Sequence, residues 1–326
     1  MTIRAFLYDA DGTDQAVELG NDALSHLSDR QLLWIDITGE DPNEIERIGS
    51  VIHLHRESIK NLLNPIGRPR LDQFKDYFQI NVVAIAANKH EGETSFRTIP
   101  LDFFAGPNYV VTIHVEALQF LHDFDDRVRE NSGLGALDSA TFLAALLDWH
   151  ISSYFRVLES FEETIDDLDE EILLHPTDRE FLGDLVTLRR RVGELRRTLA
   201  PHREVFSSLA RPDFQGLGTT EAGPAFRSLF DRFERAMDAA EKARELVIGS
   251  FDLYMAGTSR KTNDAVQVLT IVTVSLGVIG AVAGVMGTNF QVDFFKAGLH
   301  GFLWMVLGML ALIALVLFVA RRNKWI

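Results

Sequence analysis

The chain has 326 residues, 47% of them hydrophobic, and a formal net charge of -15; it is long enough for two or three domains and too apolar to be disordered throughout. The negative charge argues against nucleic acid as a partner, because phosphate binding rests on Lys and Arg, and suits cations instead. With no cysteine, disulfides and thiolate metal sites are excluded, which fits a reducing compartment, and any metal must be held by oxygen or imidazole.

Met1 to Ala10 carries Arg4, Asp9 and only a short apolar run; it does not read as a signal peptide, so the first ~260 residues are expected in the cytosol. In residues 1–131 the β-rich runs Leu32–Ile37, Tyr77–Ala87, Ile99–Phe104 and Tyr109–His114 alternate with helical stretches, punctuated by Gly39, Pro42, Gly67, Pro69, Gly92 and Gly106. This predicts a cytoplasmic α/β domain. Residues 132–262 read as a cytoplasmic helical region leading into a long helix. Apolar residues recur at three and four over Leu137–Leu174, Pro176-Thr177-Asp178 marks a break, and the pattern resumes over Thr177–Leu209. A third run starts near Ala222 and continues to Met286, a helix of ~95 Å that would project far from a bilayer.

No charge falls between Ala265 and Val292, and only His300 could carry one between Ala297 and Ala320. Each stretch supplies the ~20 apolar residues a bilayer requires. Residues 263–288 and 300–320 are thus expected as transmembrane helices, joined by a short extracytoplasmic loop, 289–299, and followed by a basic cytoplasmic tail, 321–326. Arg260 and Lys261 precede the first span and Arg321, Arg322 and Lys324 follow the second, against Lys296 and Asp293 in the loop. Both termini are expected inside.

Three features bear on function. Steps of three and four from Asp252 reach Ala256, Ser259, Asn263, Val266, Thr270, Thr273, Gly277, Gly280, Gly284 and Gly287, a face that is small, hydroxylated, amide or acidic apart from Val266. Close helix packing is one reading of such a stripe; the other is a polar pathway through the membrane, favoured by Asp252 and Asn263 on the same line. Gly287-Thr288-Asn289-Phe290 ends the stripe, and the Asn289 amide offers an acceptor without fixed charge. Copies in a symmetric oligomer would form a ring able to hydrogen-bond the water around a metal that dehydrates reluctantly. The third feature is the acidic run Glu159, Glu162, Glu163, Asp166, Asp167, Asp169, Glu170 and Glu171, with the basic set Arg189, Arg190, Arg191, Arg196, Arg197 and Arg203 beyond it. It reads either as solvated helices exchanging salt bridges or as a low-affinity sensor of cytoplasmic divalent cations. His53 and His55 are two apart and the other histidines scattered; no HExxH, nucleophile elbow, P-loop or dinucleotide fingerprint occurs, so no enzymatic activity and no cofactor are expected.

At these residues the sequence resembles the CorA family of divalent metal transporters, which includes the ZntB zinc transporters. The stretch FDLYMAGTSRKTNDAVQVLTIVTVSLGVIGAVAGVMGTNF, Phe251 to Phe290, is similar to the family's pore helix and Gly-Met-Asn signature. GRPRLDQFKDYFQI, LDFFAGPNYVVTIH, VLESFEETIDDLDEEIL, LRRTLAPHREVF and the final RRNKWI look like family segments too. The resemblance implies a funnel-shaped homopentamer in a bacterial inner membrane, whose first transmembrane helices line one axial pore. It carries pore roles onto Asn263, Val266, Leu269, Gly277, Gly280, Gly284, Gly287 and Asn289, with Asp252 at the cytoplasmic end. Thr288 stands where the family usually has Met, Gly277 where magnesium channels often have a bulky gate residue, and Gln291 to Lys296 lacks the usual Met-Pro-Glu-Leu type segment. These departures imply a divergent, CmaX-like branch. The expected substrate is Mg2+, with Co2+ and Ni2+ as surrogates and the same ion as regulator; Zn2+ transport of the ZntB type is the alternative, and a non-conducting membrane sensor or scaffold the second alternative.

Overall fold

The computed structural model describes residues 1–20, 24, 27–64, 67–87, 95–128, 138–176, 178, 180–214, 222–287 and 298–322. They form two compact units: Met1–Asp167 with Gly183–Gly249, and Leu168–Leu182 with Ser250–Ile326.

The first unit is built on a seven-stranded sheet of β1 (Thr2–Asp9), β2 (Gln15–Ala16), β3 (Gln31–Thr38), β4 (Arg70–Gln73), β5 (Phe78–Ala87), β6 (Phe96–Ala105) and β7 (Tyr109–His114), in the order β2-β1-β3-β7-β6-β5-β4. Among the described strand pairs only β3–β7 is parallel, with Leu33 opposite Tyr109 and Thr38 opposite His114. The expected α/β domain is therefore present, and the four anticipated runs coincide with β3, β5, β6 and β7. Strands β1, β2 and β4 lie outside those runs.

Strand β3 is apolar from Leu32 to Ile37 but for Asp36, because both of its faces are covered. Leu33, Ile35 and Ile37 pack in one cluster with Ile48, Val51 and Ile52 of helix α1 (Pro42–Val51) and its exit. That helix starts at Asp41, whose carboxylate accepts from Asn43 N at 3.0 Å, with Pro42 at the first helical position. Helix α2 (Arg56–Leu63) follows a turn in which His53 takes a φ of 56°. On the opposite face Trp34 meets Phe124 of α3 (Gln119–Val128) and Phe142 of α4 (Ser139–Leu174) edge to face, at 5.7 and 6.0 Å. Each such buried aromatic contributes roughly 1.5–3 kcal/mol.

Two carboxylates sit inside this sheet. Asp36 accepts from Arg4 at 2.7 Å and Thr112 at 2.6 Å and contacts His114 Nε2 at 2.9 Å. Burial pushes its carboxyl up, but the His114 contact first, then Thr112 and Arg4, outweigh it and hold the group below its ordinary value. Asp102 accepts from the Gln79 and Asn81 amides at 2.9 and 3.1 Å. There burial prevails, and its pKa rises to about 6.

The helical segment expected over residues 177–209 is in fact two helices, α5 (Glu180–Leu199) and α6 (His202–Leu209). Pro201 separates them, because its ring has no N–H to give and would clash with the carbonyl four residues back. Helix α7 (Ala222–Met286) runs for 65 residues as expected. Pro224 lies in its first turn, where a missing N–H costs nothing. Helix α8 (Gly298–Arg322) is the last element.

In the second unit Thr270, Ile271 and Val274 of α7 and Leu315, Val316, Val319 and Ala320 of α8 line one apolar cleft. Ile271 is 7% exposed, whereas Leu276, Val285, Phe302 and Trp304 are 57–69% exposed. Apolar exposure on that scale belongs in lipid or against other helices rather than in water.

Candidate cation pathway

The sequence pattern of α7 becomes two opposed faces. Gln267, Ile271, Ser275, Val278 and Val282 recur at three and four and are buried or half-buried on the α8 side. Asn263, Val266, Leu269, Thr270, Thr273, Gly277, Gly280 and Gly284 are all exposed, as is Asp252 further down the same helix. By the 100° step of an α-helix these residues centre about 140° from Ile271, with Thr270 at the edge of the arc, where it also lines the cleft with α8. Leu269, off the stripe counted in threes and fours, falls within this arc.

Among the described residues nothing outside the helix itself crowds these glycines. A methyl group built on Gly277, Gly280 or Gly284 would meet no atom within 4 Å. A stripe of small residues without an intramolecular neighbour leaves room for something outside the chain, either another helix or a column of water and ions. Thr270 and Thr273 donate their hydroxyls to the Val266 and Leu269 carbonyls, both at 2.8 Å; their oxygen lone pairs stay available as acceptors. Val266 and Leu269 are the two bulky apolar members, 54% and 65% exposed. The helix closes with Gly287, whose N–H donates to Ala283 O at 2.9 Å. Thr288 and Asn289, the rest of the tripeptide, lie outside the described residues.

The acidic run behaves differently from the helix pair expected. Glu162 pairs with Lys242 of α7 at 3.3 Å. The arginines of α5 and α6 also turn to α7, Arg196 to Glu241 at 2.7 Å and Arg203 to Glu234 at 2.8 Å, and Arg191 donates to Ser95 at 2.8 Å. Helix α7 thus carries partners for both the acidic run and the basic set. Asp166, Asp167 and Glu170 are exposed. Asp169 is half-buried, and its Oδ1 has no hydrogen-bond partner among the described residues. Among the described residues no three His, Asp or Glu side chains converge as a metal cage, so cation sensing there would have to use single carboxylates or a second copy.

Sequence reasoning passed over one buried polar cluster. His150, Tyr154 and His202 are all 0% exposed. Tyr154 donates to Val83 O at 2.5 Å, Val83 N donates to His202 Nε2 at 2.9 Å, and His150 Nε2 lies 2.9 Å from the Tyr154 hydroxyl. Burial pushes the His202 imidazole down to about 4, against the pull of its backbone contacts to Leu199 and Thr198; burial and the neighbouring His202 push His150 well below its ordinary value. Burial disfavours the charged form of both rings, and His202 and Tyr154 meet the backbone of Val83 at the sheet edge. The signal was present in the i, i+4 spacing of His150 and Tyr154 on an otherwise apolar helix face.

Comparison with known proteins agrees with this architecture. The family described as CorA-like Mg2+ transporter protein matches residues 29–322. The cobalt/magnesium transport protein CorA of Thermotoga maritima is 30% identical over 297 residues, covering 90% of this chain and 83% of that protein. The complete structure of the CorA magnesium transporter from Methanocaldococcus jannaschii superposes with a TM-score of 0.76 at 21% identity, covering 100% of both chains. The full-length CmaX protein gives 0.71 at 19% identity over 99% of this chain and 97% of that one. The expected fold class, an α/β domain with a long helix and two apolar C-terminal helices, is thereby borne out. The length, composition and exposure of α7 and α8, together with these relatives, make the chain a membrane protein with two transmembrane spans and a member of the CorA-like transporter family.

Proposed function

We propose that this protein conducts hydrated Mg2+, with Co2+ and Ni2+ as surrogates, through an axial pore made by five copies of α7, with both termini on the cytoplasmic side of a bacterial inner membrane. The observation that carries the reading is the exposed face of α7: small, hydroxylated and amide residues centred away from the cleft with α8, with open space, among the described residues, beside Gly277, Gly280 and Gly284. Copies joined about an axis would enclose that face, and Val266 and Leu269 would form its apolar constriction. A ring of Asn289 amides would receive the arriving ion by accepting hydrogen bonds from its bound water, which avoids stripping Mg2+ at the mouth. Two charges falling through ~100 mV gain ~4.6 kcal/mol inward, so conduction needs no coupled energy source. The exposed carboxylates Asp166, Asp167 and Glu170, with Asp169, would bind the same cation when the cytoplasm is replete and favour a closed state.

The test is ion flux in proteoliposomes loaded with a metal-sensitive dye, comparing Mg2+, Co2+, Ni2+ and Zn2+, with the oligomer sized by light scattering. We expect Mg2+ flux from a pentamer, abolished in Asn289→Ala with the oligomer intact. Flux of Zn2+ without Mg2+ would replace the substrate assignment, and no flux of any ion would leave a sensor or scaffold. Wild-type flux in Asn289→Gly would reduce Asn289 to a helix cap.

A further inference from the structure

Below the first span, the end of α4 lies against α7 at a tight joint. Gly257 faces Pro176, whose Cβ would come within 2.6 Å of any side chain there, and the Thr258 hydroxyl donates to Pro176 O at 2.8 Å. Around this joint opens a cleft of about 490 Å3, lined by Ile172 and Leu174 at the end of α4, by Pro176 just beyond it, and by Arg260 and Lys261 of α7, with Asp264 the lone acid among its lining residues. Arg260 and Lys261 are exposed and have no ion-pair partner among the described residues. Leu173 and Leu174 are 67% and 66% exposed.

Height and direction say what meets this cleft. Arg260 and Lys261 come five and four residues before Ala265, where the charge-free stretch begins. At 1.5 Å per residue that is about 6–7.5 Å, the thickness of the headgroup layer outside a ~30 Å hydrocarbon core. Arg260 lies three helical turns before Ile271 on the α8 side of α7, away from the small-residue face. A basic pair at headgroup height, on the side that also carries α8, beside two exposed leucines, is complementary to an anionic lipid: phosphate for the cations, glycerol and first methylenes for the leucines.

We infer that the cleft between the end of α4 and residues 253–264 of α7 is a binding seat for an anionic phospholipid of the cytoplasmic leaflet, with Arg260 and Lys261 holding its phosphate. The site rests on the two spans alone and stands whether or not the protein conducts ions. It is tested on the purified chain in detergent by native mass spectrometry, titrating dioctanoyl phosphatidylglycerol against dioctanoyl phosphatidylcholine. Phosphatidylglycerol should be retained and phosphatidylcholine not. The double variant Arg260→Gln/Lys261→Gln should weaken phosphatidylglycerol on the order of thirtyfold, as expected from two cations facing an anionic surface; the charge-preserving Arg260→Lys/Lys261→Arg should stay within about threefold. Arg321→Gln/Arg322→Gln, at the same boundary but outside the cleft, should change it little. Equal retention of the two lipids, an unaffected Arg260→Gln/Lys261→Gln variant, or an equal loss in Arg321→Gln/Arg322→Gln, which would mean generic attraction to the basic boundary, would each overturn the seat.

Discussion

Replacing Asp102 with asparagine should stabilise the sheet at neutral pH and do nothing useful in acid. The carboxyl is buried in β6, 7% exposed, and its pKa rises from 3.8 to about 6 because burial outweighs the Gln79 and Asn81 amides and the nearby Arg70 charge. A carboxyl raised on folding favours the native state fully below 3.8 and loses that advantage as pH climbs through about 6; above it, the fold carries the cost of a buried anion. At roughly 1.4 kcal/mol per pH unit the gap between those values is about 3 kcal/mol. Asparagine removes the charge at nearly the same shape. Its neutral hydrogen bonds are weaker by about 1 kcal/mol, partly recovered because Gln79 Oε1, which has no partner among the described residues, can turn to accept from the new amide. A net gain of about 2 kcal/mol at pH 7.5 remains, about thirtyfold in a local opening equilibrium, falling to zero or below near pH 4. Amide hydrogen exchange of β5 and β6 in the detergent-solubilised protein, corrected for intrinsic exchange rates, reads this directly. A difference between Asp102→Asn and wild type that is the same at pH 4 and pH 7.5 would refute a buried, ionised Asp102.

Gly280→Leu or Gly284→Leu should abolish flux while leaving the first unit's thermal unfolding within about 0.5 kcal/mol of wild type, since among the described residues no atom outside the helix's own backbone lies near either position; undiminished transport with normal oligomer size would show that the face is not enclosed. Millimolar Mg2+ should slow proteolysis of the helical region that carries the acidic run, and Asp166→Asn/Asp167→Asn should weaken that protection several-fold; cleavage rates indifferent to every divalent ion would remove these carboxylates from regulation.

What was legible in the sequence followed from covering on both sides. Leu32 to Ile37 announces β3 because each of its faces meets a helix layer, and α7 and α8 announce themselves by uninterrupted apolar length. Strand β1 stayed hidden because its polar members are answered from far along the chain: Arg4 by Asp36 and Asp125, and Asp9 by Gln31 at 2.8 Å. The acidic and basic runs were visible as charge, but their partners were not, because Glu234, Glu241 and Lys242 lie on a third helix whose neighbours no spacing rule supplies. The stripe on α7 could be counted from its period, whereas its standing away from the α8 contact required the position of Ile271. The break at Pro201 was legible in principle and was overridden by the apolar period running through it.

The shortness of β4 has a consequence for how the chain avoids sticking to itself. Its register covers only Phe78 to Asn81 of β5, so the strand beyond would offer a bare hydrogen-bonding edge of the kind that recruits a second copy or seeds aggregation. Val83 has both its N–H and its C=O taken by His202 and Tyr154, residues from helices distant in sequence, so the edge is closed by side chains instead of a strand. A fragment of the first unit ending before α6 would lose His202 and leave Val83 open to intermolecular pairing, which makes the helices following the sheet part of its solubility as much as of its stability.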